Sequence, residues 1–345
     1  MKTKHTDIQI SKNAFDLLRY YAAFSVMLLH FTGYARIYTA NGLTALSVLR
    51  SIVLFFPGVV VLFSISGFLI TASRERTPDP GLFFRKRILR LYPELWVCTL
   101  FNLLILAILV PGRLDSGIFV WLVTQFFGIA NTPDCLKAFA TGSVNGALWT
   151  IFVELQFYFI ILFCYQLLSR LSMVSWSILL TLCVCINLLA GHLTPVLPSL
   201  AAKLLERSFL PYMLWFFIGV FCYMKRAVLL PFLRKYCLLF SLIYLLLYLL
   251  PVLKNGYYCS ILISILCPVV TIGLAYLLPP LRIKTDLSYG MFLYHWIVLN
   301  LIIYFDLFHK LPWIVCLVIF MISTLLLSWC STTFVGRTVR SHIAK

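Results

Sequence analysis

The sequence predicts an all-α membrane protein that crosses the bilayer about ten times. Two observations carry this expectation. Of 345 residues, 62% are hydrophobic and only 11% are charged, whereas about a quarter of a water-soluble domain is charged. The hydrophobic residues also fall in runs of roughly 18–24, long enough to cross about 30 Å of hydrocarbon as a helix. A transmembrane β-barrel would show short segments of alternating polarity instead.

The first span, 15–35 ("FDLLRYYAAFSVMLLHFTGYA"), follows a dozen polar residues. It is too long for a signal peptide and lacks a small-residue cleavage site, so it reads as a retained span. The second, 47–72, contains Pro57, Gly58, Ser64, Ser66 and Gly67. Such small residues permit close helix contact or a break beside a cavity. The third, 90–110, leaves the basic stretch "FFRKRILRLYPELW", where Pro93 marks a kink or helix break. The run 116–130 is too short to cross and reads as a re-entrant or interfacial helix. Span four, 146–168, carries Glu154 among apolar residues. Spans 173–190, 207–224, 236–253 and 257–279 are apolar and carry no motif. Span nine, 286–305, holds Ser288, Tyr289, Tyr294, His295 and Trp296, and 311–334 completes the set. No tandem repeat, no paired halves and no soluble domain are evident, so 1–345 reads as one integral membrane domain.

The distribution of charge assigns sides. The net charge is +17, but the basic residues lie in short segments between spans, where they report topology and anionic head groups rather than nucleic acid. With the N-terminus inside, inner segments hold 19 of the 28 Lys and Arg, outer segments hold 8, and Arg19 lies within span one. This predicts ten spans with both termini cytoplasmic. The eleven cysteines lie almost all in apolar runs without metal-ligand spacing. Neither a disulfide framework nor a metal is expected.

Ionisable groups inside apolar spans are costly and mark functional paths. Arg19 and His30 are eleven residues apart, which brings them within ~20° of one helix face at depths ~16 Å apart. Asp16, three residues before Arg19, can hold its guanidinium. A plainer reading has Arg19 snorkelling to head groups and His30 packing. Glu154 lies about two turns inside span four, at a depth plausible for His30, whose imidazole a carboxylate would orient and make more basic. Its alternative is a bond to Trp149 or Tyr158. Arg87 and Arg90 share a helix face, which suits bidentate phosphate binding or, alternatively, topology and lipid contact. His295 and Tyr289 could bond a polar ligand or serve structure. No P-loop, dinucleotide fingerprint or nucleophile elbow is present.

Taken together, these stretches resemble the acyltransferase 3 family of integral membrane acyltransferases. "FDLLRYYAAFSVMLLHF" is similar to its first-span Arg-x10-His motif, here Arg19 and His30. "VVVLFSISGFLIT" resembles its Phe-x-x-Ser-Gly-Phe segment, and "RKRILRLYP" its Arg-x-x-Arg and Tyr-Pro loop, here Arg87, Arg90 and Pro93. "GALWTIFVELQFYF" resembles the motif carrying Glu154, and "LSYGMFLYHWIVL" the late-span segment with His295. Departures are the absence of an acid in "PGVVVLF", Thr150 where many members have Ser, and Leu155 where a second acid is often written.

The resemblance implies a ten-span core in a bacterial cytoplasmic (inner) membrane. It implies transfer of an acyl group, usually acetyl, from cytoplasmic acyl-CoA to a hydroxyl of an extracytoplasmic glycan such as O-antigen, exopolysaccharide or a lipid-linked precursor. Arg87, Arg90, Arg19 and Asp16 would serve the acetyl-CoA donor. His30, oriented by Glu154, would act as general base or carry the acyl group itself. His295, Tyr289, Trp149 and Ser66 are further candidates for substrate contact. A transporter or flippase of a lipid-linked sugar also accommodates intramembrane charge, although no matching broken spans support it. A non-catalytic scaffold would need none of Arg19, His30 and Glu154.

Overall fold

The computed structural model describes residues 11–39, 42–249, 255–281, 283 and 285–336. Lys2, Lys4, Lys254, Arg282, Lys284, Arg337, Arg340 and Lys345, which the charge count uses, lie outside the described residues, as do His5 and His342. Among the described residues all regular structure is helical, with no strand. The α-helices in order are α1 (Phe15–Tyr38), α2 (Leu43–Phe55), α3 (Gly58–Arg76), α4 (Pro80–Leu109), α5 (Gly117–Phe126), α6 (Trp149–Arg170) and α7 (Met173–Leu193). They continue as α8 (Ser199–Glu206), α9 (Met213–Met224), α10 (Arg226–Leu249), α11 (Ile261–Leu277), α12 (Ser288–Tyr304), α13 (Leu307–Lys310) and α14 (Trp313–Ser331).

Six described helical stretches are long and apolar enough to cross a membrane: Leu43–Arg76, Pro80–Leu109, Gly146–Arg170, Met173–Leu193, Arg226–Leu249 and Trp313–Gly336. The pair Ser199–Glu206 and Leu210–Met224, bent by 47°, makes a seventh if it is one span. Gly117–Phe126, Ile261–Leu277 and Ser288–Tyr304 are apolar but shorter. α1 has 24 residues, about 36 Å at 1.5 Å per residue, with its apolar run diluted by Asp16, Arg19, His30 and Arg36. The faces left uncovered are those of a protein in lipid. On α7, Val174, Ile178, Leu182 and Leu189 are all more than half exposed. So are Leu238, Leu239, Leu242, Leu246 and Leu249 on α10. Apolar surface on this scale marks contact with acyl chains rather than water.

Several predicted bounds need correction, mostly at prolines. Span 47–72 is two helices, because Pro57 lacks an N–H and caps the start of α3. The neighbouring Phe56 carbonyl accepts from the Tyr21 hydroxyl at 2.8 Å. Pro93, expected to break or kink its helix, lies inside the 30-residue α4. A membrane helix tolerates the lost bond when its surroundings satisfy the backbone. Span 207–224 is a 12-residue α9 preceded by a 3₁₀ turn and, across a bend, by α8. At that bend Gln156 donates to Arg207 O at 2.8 Å and accepts from Phe209 N at 2.9 Å, replacing the missing helical bonds. Span 236–253 starts early, since α10 takes in the basic stretch from Arg226 and keeps Pro231 inside. The run 116–130 forms the ten-residue α5, about 15 Å long and too short to cross.

The described residues gather into two compact units interleaved along the sequence. One falls within Met1–Ala22, Phe56–Phe83 and Glu154–Lys284; the other within Ala23–Phe55, Phe84–Val153 and Thr285–Lys345. In the first unit α3 packs along α9, α11 packs on both, and α10 packs on α11. In the second, α12 packs along α14. There the segment after α4 folds over its own small core of Leu106, Val110, Trp121, Leu136, Phe139 and Val144.

Candidate functional site

In the second unit, His30 is half-buried and set against two aromatic neighbours from α12. Its ring stacks on His295, with centroids 5.4 Å apart and planes at 21°. The indole of Trp296 meets it edge-on at 4.5 Å and 69°. α12 is apolar all round and almost wholly buried, which fixes both side chains. His295 is fully buried, with Nδ1 2.8 Å from Phe292 O and 3.2 Å from Met291 O. A carbonyl only accepts, so Nδ1 carries the hydrogen, and in the neutral ring Nε2 presents a lone pair. That Nε2 is buried without a hydrogen-bond partner among the described residues.

The segment 141–146 ("TGSVNG") is moulded onto the same helix. Trp296 Nε1 donates to Thr141 Oγ1 at 3.1 Å and to Ser143 O at 2.9 Å. Asn300 Nδ2 donates to Ser143 O at 2.9 Å and Val144 O at 3.2 Å, while its Oδ1 accepts from Thr141 Oγ1 at 2.7 Å. Asn145 Nδ2 donates to Leu293 O at 3.2 Å. A Cβ at Gly146 would stand 2.4 Å from Trp296 Cζ2, so only glycine lets the indole lie there. These bonds lock the indole that forms one wall of the His30 site. Trp149 opens α6 just beyond this segment.

Also in the second unit, Arg87 and Arg90 lie one turn apart on α4, half-buried and exposed respectively. Arg90 Nη2 is 3.7 Å from Asp286 Oδ2. Asp286 in turn accepts from Ser288 N at 3.1 Å and Ser288 Oγ at 2.5 Å, at the start of α12. The Tyr289 hydroxyl donates to Leu91 O at 2.8 Å, so it ties α12 to α4.

In the first unit, Asp16 pairs with Arg19 across one turn of α1 and accepts from Ile283 N at 3.3 Å. The Arg19 side chain is 17% exposed. Glu154, half-buried on α6, accepts from Ser66 Oγ at 3.1 Å and from the Tyr158 hydroxyl at 2.8 Å, both at Oε1. Tyr158 is one of the two partners that the sequence offers as the alternative to a pairing of Glu154 with His30. Ser66 reaches Glu154 from α3, whose neighbouring Gly67 packs against α9. The same unit holds a third carboxylate arrangement: Glu75 accepts from Arg226 at 2.9 Å and from the Tyr223 hydroxyl.

Sequence reasoning missed Asp286, Asn300, Asn145 and Thr141. Asp286 had a readable signal, a cap-type residue just before an apolar run. The other three are ordinary polar residues whose partners lie up to 159 positions away.

The acyltransferase domain family model matches residues 12–333. Nodulation protein 10 of Rhizobium leguminosarum bv. viciae is 36% identical over 163 residues, which cover 43% of this chain and 42% of that protein. The match therefore spans less than half of that relative. No solved structure matches. The family model takes in the Arg19–His30 helix, the Arg87–Arg90 turn, Glu154 and the buried α12: the chain belongs to the acyltransferase 3 family of membrane acyltransferases.

Proposed function

We propose that this chain transfers an acetyl group from cytoplasmic acetyl-CoA to a hydroxyl of an extracytoplasmic glycan, in a bacterial inner membrane that it crosses about ten times. The observation that carries this reading is the environment of His30. An imidazole on a membrane helix has a wall of His295 and Trp296 and remains partly exposed. That leaves it open to a substrate hydroxyl and held in orientation, as a general base must be. Family membership supports acyl transfer, and the basic turn of α4 supports the donor: two guanidinium groups one turn apart suit the phosphates of a CoA thioester.

In the transfer, the acceptor hydroxyl loses its proton to His30 as its oxygen attacks the thioester carbonyl carbon. The C–S bond breaks and the proton held by His30 passes on to the CoA thiolate, which restores the neutral imidazole. Arg19, held by Asp16, supplies fixed positive charge for the donor. Glu154 supplies negative charge positioned by Ser66 and Tyr158.

The direct test is the mass of the surface glycan, or of its lipid-linked precursor, in host cells with and without this chain. Gain of one acetyl mass on an otherwise unchanged glycan is expected. Unchanged mass, or loss of the whole glycan on deletion, overturns the reading. The Arg87→Ala/Arg90→Ala double variant is expected to lose saturable acyl-CoA binding in the purified protein, and retained binding refutes that donor site. Glu154→Gln separates charge from shape. It keeps an acceptor for both hydroxyls and removes the charge, and is expected to slow transfer by more than tenfold. Tyr158→Phe removes one hydrogen bond worth about 1 kcal/mol and is expected to slow transfer about fivefold at most. Equal effects would make Glu154 a packing residue.

A further inference from the structure

We propose that Arg36 and Arg50 form an anion site beside His30 that holds a phosphate-class group of the acceptor, such as the phosphate joining a glycan to its lipid carrier. The inference rests on the reading of His30 as facing the acceptor. A cavity of about 380 Å³ in the second unit is lined by Gly33, Arg36, Ile37, Leu43 and Arg50. Its lining has two guanidinium groups and no carboxylate.

Three features place this site with the chemistry at His30. First, Gly33 and Ile37 follow His30 by three and seven residues on α1, within about 60° of the same helix face and roughly 4.5–10 Å further along. Second, Arg50 is built in: its Nη1 donates to Leu29 O at 2.8 Å, the carbonyl of the residue preceding His30. An arginine that served only lipid would extend to the interface instead. Third, a Cβ at Gly33 would stand 3.2 Å from Arg50 Nη1, so the missing side chain gives the guanidinium its place. Arg36, in the last turn of α1, is exposed and completes the pair. Two planar forks at one cavity match a phosphate or diphosphate better than a neutral sugar.

The shared chemistry is an anionic phosphate oxygen, and a bilayer headgroup could also supply one. The test therefore uses the purified full chain with Arg87→Ala/Arg90→Ala, so that the donor turn does not take up the probe, in vesicles of phosphatidylcholine alone, with radiolabelled inorganic diphosphate as probe. Saturable binding is expected, weakened at least about tenfold by Arg36→Gln or Arg50→Gln and retained by Arg50→Lys. Arg36 is exposed, so its substitution tests the site without threatening the fold. Binding should persist in equimolar phosphatidylcholine and phosphatidylglycerol. Absent binding, binding indifferent to both Gln variants, or displacement by phosphatidylglycerol overturns the proposal, the last by making the site a headgroup contact. The measurement uses neither donor nor acceptor glycan, so it fails or holds separately from the acetyl-transfer reading.

Discussion

His30→Gln is expected to lower acetyl transfer by 10²–10⁴-fold at an unchanged level of protein in the membrane, the span of a positioned general base. That loss corresponds to about 3–5 kcal/mol of transition-state stabilisation. Glutamine is the informative replacement, because it keeps much of the volume between His295 and Trp296 while removing the basic nitrogen. The loss should fall on kcat, with acyl-CoA binding intact, since no donor contact is assigned to His30. Transfer within tenfold of wild type would remove His30 from the reaction. The same protein distinguishes a base from a carrier. If the imidazole accepts the acetyl group, wild-type protein given labelled acetyl-CoA without acceptor should retain label, and His30→Gln should not. If His30 only moves a proton, neither retains label. Gly146→Ala reaches the same site from behind. Its added methyl displaces the Trp296 indole, so it should impair transfer while leaving diphosphate binding at Arg36 and Arg50 in place.

The residues legible in the sequence were those whose chemistry is costly where it stands. Arg19, His30 and Glu154 are conspicuous because apolar spans give ionisable groups little reason to exist. Asp16 followed from helical spacing, three residues from its partner. What spacing cannot reach is pairing across the chain. Nothing in "TGSVNG" announces that Asn300 and Trp296 will bind it, because Thr, Ser and Asn satisfy loops everywhere. Proline alone does not fix a helix boundary for a related reason. Pro57 ends a helix, whereas Pro93, Pro231 and Pro268 sit inside helices. The lost bond is the same each time, and tertiary surroundings decide whether the helix continues. The bend between α8 and α9 was hidden likewise, since the Gln156 side chain that satisfies it lies about fifty positions upstream.

Gly67→Ala and Gly219→Ala are expected to be the most destabilising single-methyl changes in the first unit. A Cβ at Gly67 would stand 2.0 Å from Phe216 O, and one at Gly219 would stand 2.1 Å from Ser64 O. Both obstacles are backbone atoms, which cannot rotate aside, so α3 and α9 must separate. In a bilayer, helix association relies on such close approach because lipid offers little hydrophobic drive. Each change should cost at least the upper part of the ~1–3 kcal/mol typical of overpacking. It should be read as a lower thermal midpoint of the solubilised protein. Gly112→Ala is the control, with nothing within 4 Å of its added carbon, and should leave the midpoint unchanged. Activity should fall further for Gly67→Ala than stability alone explains, since the adjacent Ser66 would be drawn off Glu154. The double variant discriminates the mechanism. The two glycines face each other's helix in one contact, so once a single methyl has parted the helices the second meets less resistance. The combined loss should then be smaller than the two single losses added. Strict additivity would mean that each methyl is absorbed locally and that α3 and α9 do not move apart.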